Sequence, residues 1–251
     1  MCNPDFTFPE WQVNVINSLL EIKETNCSLL IIDSRVNKSS FKQKFKSVKL
    51  KSFFWQAYYF LISSYSLAGK KIDLSRLLSN ISKIECQIKM QGKSSEYFSE
   101  QDVKEIKDYD LDFILRFGFG IIRGDVLDVS KYGIWSYHHG DEKKYRGGPP
   151  CFWEIYSNDN ITGSILQRLT NKLDGGIILK KGYLKTDPSY LINRDQMFLE
   201  SSKWVSQVCL DIINHNTSYL SKLPSTTTSA IQIAPTNLEF LNFLVKSNIK
   251  K

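Results

Sequence analysis

Gly133-Ile134-Trp135-Ser136-Tyr137-His138-His139-Gly140 is the stretch on which the reading of this chain turns. Ile134 to His138 is built from aromatic and β-favouring residues and runs into Gly140-Asp141, which predicts a short buried strand ending in a loop. Side chains two apart on a strand share a face, so Ser136 and His138 go together and Trp135, Tyr137 and His139 take the other side. A hydroxyl and an imidazole at the carboxyl end of a strand form a candidate reaction centre.

Leu111 to Phe117 reads as the preceding strand, followed by Gly118-Phe119-Gly120. Ser28 to Asp33, Ile161 to Leu169 and Ile177 to Leu184 read as further strands, and Ile84, Cys86, Ile88 and Met90 alternate as a half-buried one would. Between them lie helical signals. Pro9-Glu10-Trp11 opens a helix carrying Val15, Ile16, Leu19 and Leu20 at helical spacing, and Ser99 with Asp102 forms a capping-box pattern for a helix through Ile106. Further helices are expected at Phe53 to Ala68, at Leu74 to Ile81 capped by Asp73, at Val126 to Val129, at Pro149 to Tyr156 and, as one long element, at Asp195 to His215. Residues 34 to 52 are basic and polar and read as a loop. The alternation predicts an α/β domain over residues 1–215, with a mostly parallel sheet flanked by helices. Residues 216–251 read as a linker and a short amphipathic helical extension. Ligands of such folds bind beyond the carboxyl ends of the strands, where Gly118, Gly120 and the loops after His138 and Leu173 would meet.

Composition narrows the function classes. The chain has 251 residues, 42% of them hydrophobic, enough for a real core. Its 33 basic and 26 acidic residues give +7, but the excess is scattered lysine without an Arg-rich run, so a solvated surface is expected and nucleic acid is not. Five cysteines without a C-x-x-C pair argue against a zinc ribbon or a disulfide framework and for a reducing, cytoplasmic setting. No signal-peptide pattern opens the chain. Phe53 to Ala68 is apolar and lysine-flanked, yet it contains Gln56, Ser63, Ser64 and Ser66 and falls short of the ~20 apolar residues a membrane span needs. It is expected to be a buried or partner-facing helix. Adjacent His138 and His139 point apart and no H-x-x-x-H occurs, so no metal site is expected. Cys151 follows two prolines with no evident base and is not expected to be a nucleophile. Gly118-x-Gly120-x-x-x-Gly124 mimics a dinucleotide-binding turn, but no acidic residue closes a following strand about twenty positions on.

Four pieces then fall in register: Gly133 to His138, Tyr145-Arg146-Gly147, Thr162-Gly163-Ser164-Ile165 and Leu173-Asp174-Gly175-Gly176-Ile177-Ile178. Together, over roughly Asp108 to Tyr183, they resemble the folate-dependent formyltransferase family, which holds methionyl-tRNA, glycinamide ribonucleotide and nucleotide-sugar N-formyltransferases. The resemblance implies a Rossmann-like formyltransferase fold and 10-formyltetrahydrofolate as cosubstrate. It sets His138 on the family's catalytic histidine and Asp174 on its aspartate, while the family's asparagine, an oxyanion donor, is replaced by Ser136. Phe117, Gly118, Phe119, Gly120, Ile121 and Gly175 would border the folate, and Asp141, Arg146 and Gly147 the acceptor.

Two departures carry further expectations. Asp141-Glu142-Lys143 stands where members often have Leu-Leu-Pro, which implies a polar amine acceptor such as an amino sugar on a nucleotide. Methionyl-tRNA ranks behind it, because members acting on tRNA carry a further domain after the catalytic one. The family's opening strand with its glycine turn has no counterpart in Met1 to Phe8, so either the chain is truncated or the sheet lacks a middle piece. The competing class is a formyltransferase fold that has lost activity and binds a folate or nucleotide. A homodimer is compatible with either reading, and no membrane span is expected.

Overall fold

The structure, a computed structural model, describes residues 1–35, 50–92, 94–172 and 175–249. Thr7–Pro9 (β1) leads into helix Glu10–Leu20 (α1), and Leu29–Asp33 (β2) follows. Helix Phe53–Ser63 (α2) precedes strands Lys71–Asp73 (β3), Ser82–Cys86 (β4), Lys89–Gln91 (β5) and Ser95–Tyr97 (β6). Helix Glu100–Lys107 (α3) leads to Ile114–Leu115 (β7), Ile121–Arg123 (β8), Ile134–His138 (β9) and Arg146–Gly147 (β10). Helix Trp153–Tyr156 (α4), the long strands Ile161–Arg168 (β11) and Ile177–Lys185 (β12), and helices Tyr190–Ser201 (α5) and Trp204–Ile213 (α6) complete the body. Ile231–Gln232 (β13) and helix Asn237–Ile249 (α7) close the described chain.

Pairing shows how the sheet is assembled. β2 runs parallel to β4 and β7 parallel to β9, whereas β11 is antiparallel to both β9 and β12. Met1 and Cys2 fill the gap between the two parallel pairs. Cys2 donates to the Ile31 carbonyl at 3.0 Å and accepts from Asp33 at 3.3 Å; Met1 donates to the Leu115 carbonyl at 2.9 Å and accepts from Phe117 at 3.0 Å. A two-residue bridge thus ties the two parallel pairs together at the central position for which the sequence offered no strand, and among the described residues no full strand runs between β2 and β7.

The register divides the sheet into two faces. Ile114 pairs with Ile134, so Arg116, Ser136 and His138 project from the same face as those isoleucines, and Gln167 and Ile165 lie opposite Ser136 and His138. At its base this face packs Ile31, Ile84, Ile114 and Ile134 against Ile106 of α3. The capping box of α3 is present, with Ser99 Oγ accepting from Asp102 N and the Asp102 carboxylate from Ser99 N. The opposite face carries Trp135, Leu166 and Leu179 against Trp11 of α1 and Trp204, Val205 and Val208 of α6. Trp11 is its hub, meeting Phe117, Tyr137, His139 and Phe198 edge-on at 5.1–5.7 Å.

Several helices differ from expectation. The predicted element from Asp195 to His215 begins at Tyr190 and breaks at Ser202-Lys203. There the hydroxyls of Ser201 and Ser202 bond the carbonyls three residues back, competing with the helical ladder. Asp73 starts no helix: its carboxylate takes both the amide and the hydroxyl of Ser75, an Asx turn, and residues 75–80 are turns. The helix expected from Pro149 is confined to α4, since Cys151 sits at φ +64, outside helical space. Ile84 to Met90 is two strands rather than one. Most of the loop expected at residues 34 to 52 lies outside the described residues; residues 50–52 form one 3-10 turn.

α2 buries Trp55 against Phe152, Tyr190 and Phe240, joining α4, α5 and α7 in one aromatic cluster, and leaves Phe60 and Leu61 exposed. Among the described residues no helix is long and apolar enough to cross a membrane.

Candidate functional site

Ser136 and His138 sit at the carboxyl end of β9 on the polar tip of the first face, above the isoleucine layer. Ser136 is buried and its hydroxyl accepts from Arg116 Nε at 3.1 Å and Nη2 at 2.9 Å, while its own proton points to the Tyr137 carbonyl at 3.3 Å. Arg116 Nη1 donates to the carbonyls of Phe119 and Gly120. The guanidinium therefore ties the end of β9 to the glycine loop. His138 Nε2 lies 3.0 Å from the carbonyl of Tyr145, so the loop after β9 folds back onto the imidazole.

Three loops converge here. Phe119 holds φ +67, a conformation rare for a bulky residue, with its ring stacked on Phe98 at 5.4 Å. Gly118 is packed against Cys2 and Asn3, and Gly120 against Glu96, whose carboxylate accepts the Gly120 amide; a Cβ at either glycine would crowd these atoms. Arg123 donates to the carbonyls of Thr170 and Asn171, and Asn171 Oδ1 accepts from Gly124, which ties the segment after the glycine loop to the segment after β11. Gly176 lies against the Gln167 side chain, the cross-strand partner of Ser136, and Thr170 Oγ1 bonds the Gly175 carbonyl. Gly175 and Gly176 thus border the face that carries Ser136. Leu173 and Asp174 lie outside the described residues.

The loop after β9 is braced by charge. Lys181, on β12, donates to Asp141 at 2.9 Å and to the buried Glu142 at 2.8 Å. Burial opposes the Lys181 charge, but these bonds prevail and raise its pKa; Asp141 is held below its ordinary range by Lys181 and the Lys143 amide against a burial penalty. Arg146 donates to the Ser229 carbonyl at 2.8 Å, and β10 pairs in parallel with β13, so Arg146 and Gly147 anchor the tail segment. Gly147, at φ +82, passes so close to Gln232 that a Cβ would clash with its carbonyl.

His139 is a core residue. Its ring stacks on Phe198 at 3.6 Å, Nδ1 lies 3.1 Å from Ser164 Oγ, and burial pushes its pKa well below the ordinary range. Cys151 is buried, which raises its thiol pKa well above the ordinary value. All five cysteines are free. Among the described residues no group of three or more His, Cys, Asp or Glu is arranged to hold a metal ion. Glu154 is 1% exposed, Oε1 has no hydrogen-bond partner among the described residues, and burial, aided by Asp159 and Asp141, raises its pKa to about 7. A cavity of about 370 Å³ opens at the other end of the sheet, lined by Leu29, Ile31, Phe113 and Leu115. Its walls mix these apolar residues with Glu24, Asn26, Asp110 and Asp112 and include none of Arg116, Ser136 and His138.

Arg116 is the residue that reading the sequence missed. A charged residue inside the apolar run Leu111 to Phe117, at a position sharing a face with Ile114, was the available signal.

No protein-family model matches the chain. A methionyl-tRNA formyltransferase of Prochlorococcus marinus is 30% identical over 145 residues, 57% of this chain and 41% of that protein. That of Mycoplasmopsis pulmonis is 34% identical over 104 residues, 41% of this chain and 35% of that protein. This chain is related to the folate-dependent formyltransferases. It spans about two fifths or less of the length of these curated relatives. Its fold is the formyltransferase fold: glycinamide ribonucleotide transformylase 1 from Symbiobacterium toebii superposes with a TM-score of 0.50 at 12% identity, covering 82% of this chain and 83% of that one. Phosphoribosylglycinamide formyltransferase from Bacillus halodurans also gives 0.50, at 14% identity, over 84% of this chain and 95% of that one.

Proposed function

We propose that this formyltransferase relative moves a formyl group from 10-formyltetrahydrofolate to the amine of a small polar acceptor. The observation that carries the reading is the convergence of Ser136, His138 and the Gly118–Gly120 and Gly175–Gly176 loops at one carboxyl-terminal edge of the sheet. The acceptor nitrogen attacks the formyl carbon, a C–N bond forms, and the bond from that carbon to N10 of the folate breaks. One proton passes from the amine to N10. His138, with a reference pKa of about 6.5, is suited to carry it near neutral pH. Asp174 is assigned by its motif position to orient the imidazole and accept the amine proton. Phe117 to Ile121 and Gly175 would border the folate.

The acceptor class rests on the loop. Asp141, Glu142 and Lys181 form a charged, braced wall next to His138, which suits a hydroxyl-rich amine such as an amino sugar on a nucleotide. The names of the sequence relatives favour methionyl-tRNA as the second reading. The chain is read as one catalytic unit over residues 1–215 with an extension over 216–251, and as a cytoplasmic enzyme. Calorimetric titration with a folate analogue, followed by a coupled assay of tetrahydrofolate release over amino sugars, their nucleotides and methionyl-tRNA, tests the proposal. Release with one acceptor, abolished by His138→Ala, supports it; folate binding without release from any amine overturns it in favour of a binding module.

A further inference from the structure

We propose that Arg116 is the cationic donor that meets the negative charge developing on the transferred formyl oxygen, the part the family gives to an asparagine where this chain has Ser136; this rests on the formyl-transfer reading above. Ser136 does not offer that donor itself. Its hydroxyl proton is directed to the Tyr137 carbonyl and its lone pairs receive Arg116. The donor capacity of the position has moved to the guanidinium behind it.

Three features of Arg116 point to an anion. Among the described residues it has no carboxylate within ion-pair distance; Glu96, the acidic group acting on it, is bonded to Arg35 at 2.7 Å and to the Gly120 amide. It is a half-buried cation whose partners among the described residues are all neutral oxygens, a costly arrangement in water-poor surroundings. Finally, a guanidinium has five N–H groups. Nε and one Nη2 hydrogen go to Ser136 and the Nη1 pair to Phe119 and Gly120, which among the described residues leaves one Nη2 hydrogen without a partner beside the face that carries Ser136 and His138.

A charge-assisted bond from that hydrogen strengthens as the formyl oxygen gains charge. When the amine adds, the C=O electron pair moves onto oxygen and Arg116 stabilises it; when the pair returns, the bond to N10 breaks and N10 keeps the proton relayed by His138. Arginine at position 116 and serine at position 136 thus act as a pair, the hydroxyl fixing the fork and the fork supplying the charge.

The test uses the full chain with a folate analogue bound and formate as a stand-in for the oxyanion. In protein carrying ¹⁵N-labelled arginine side chains, formate is expected to shift one arginine Nη signal, and the response to vanish in Arg116→Gln. In turnover, Arg116→Gln is expected to lower kcat by roughly 10²–10³-fold while the donor KM changes by less than about threefold. Guanidinium ion added to Arg116→Ala should restore part of the rate, which a purely structural role would not allow. A formate response that survives Arg116→Gln overturns the proposal, as does an unchanged kcat or a rate loss that follows loss of fold without guanidinium rescue. If the wild type formylates no amine but formate still binds through Arg116, the anion site stands and the transfer reading falls.

Discussion

His139 is stacked on Phe198 inside the aromatic core, while His138, one residue earlier, reaches over the opposite face of β9 to the carbonyl of Tyr145. The same side chain meets two solvents. On the core face, Trp11, Phe198 and Tyr137 enclose the ring, and removal from water disfavours its charged form. On the other face, the apolar layer of Ile114 and Ile134 ends one residue pair below the strand tip, and polar groups from three loops take over. The pleat of a single strand therefore separates the core histidine from the one proposed to carry a proton, and residue type alone does not say which is which.

The largest test of that separation exchanges the two histidines for alanine. His138→Ala is expected to reduce formyl transfer by roughly 10²–10⁴-fold and to leave the melting temperature nearly unchanged. His139→Ala should do the reverse, retaining turnover in the folded fraction while lowering stability by about 3–4 kcal/mol in urea unfolding, because it empties an aromatic slot and strips Ser164 of a partner. Equal effects on rate and stability in either variant would show that the two faces of β9 do not divide the roles in this way. A smaller effect is expected at Glu154. Below about pH 4.5 its carboxyl is protonated both folded and unfolded; as pH rises to about 7 only the unfolded chain has released the proton, so burial destabilises increasingly and then by a constant amount. Glu154→Gln should thus stabilise the protein by up to ~3 kcal/mol at pH 8 and by almost nothing at pH 4.5, measured as the difference between two pH-dependent unfolding series. Smallest of all, Gly147→Ala should lower stability by about 1–2 kcal/mol, through its positive φ and the clash with Gln232, and should raise hydrogen exchange across residues 229–233.

Local patterns were legible where one residue type has one physical use. The Ser99/Asp102 box, the alternation in β9 and the apolar spacing of α1 all read directly as structure, because each depends on neighbours a few positions away. Ser136 and His138 could be placed on one face for the same reason. What escaped depends on distance along the chain. Met1 and Cys2 have no period to detect, and their strand character exists only because β2 and β7 present matching edges. Arg116 gains its meaning from Ser136, twenty positions later, and from a loop it caps itself. The break between α5 and α6 comes from two serine hydroxyls that a propensity scale treats as tolerable.

The pairing of β10 with β13 has a mechanical consequence. Tyr145, whose carbonyl touches the imidazole, is followed at once by the residue that locks onto Ile231, and a few positions beyond that lock α7 seats Phe240 and Phe243 in the aromatic cluster. The tail thus braces, from 83 residues away, the loop that lies against His138, and editing its length or its seating is expected to shift that loop without altering one atom of the imidazole.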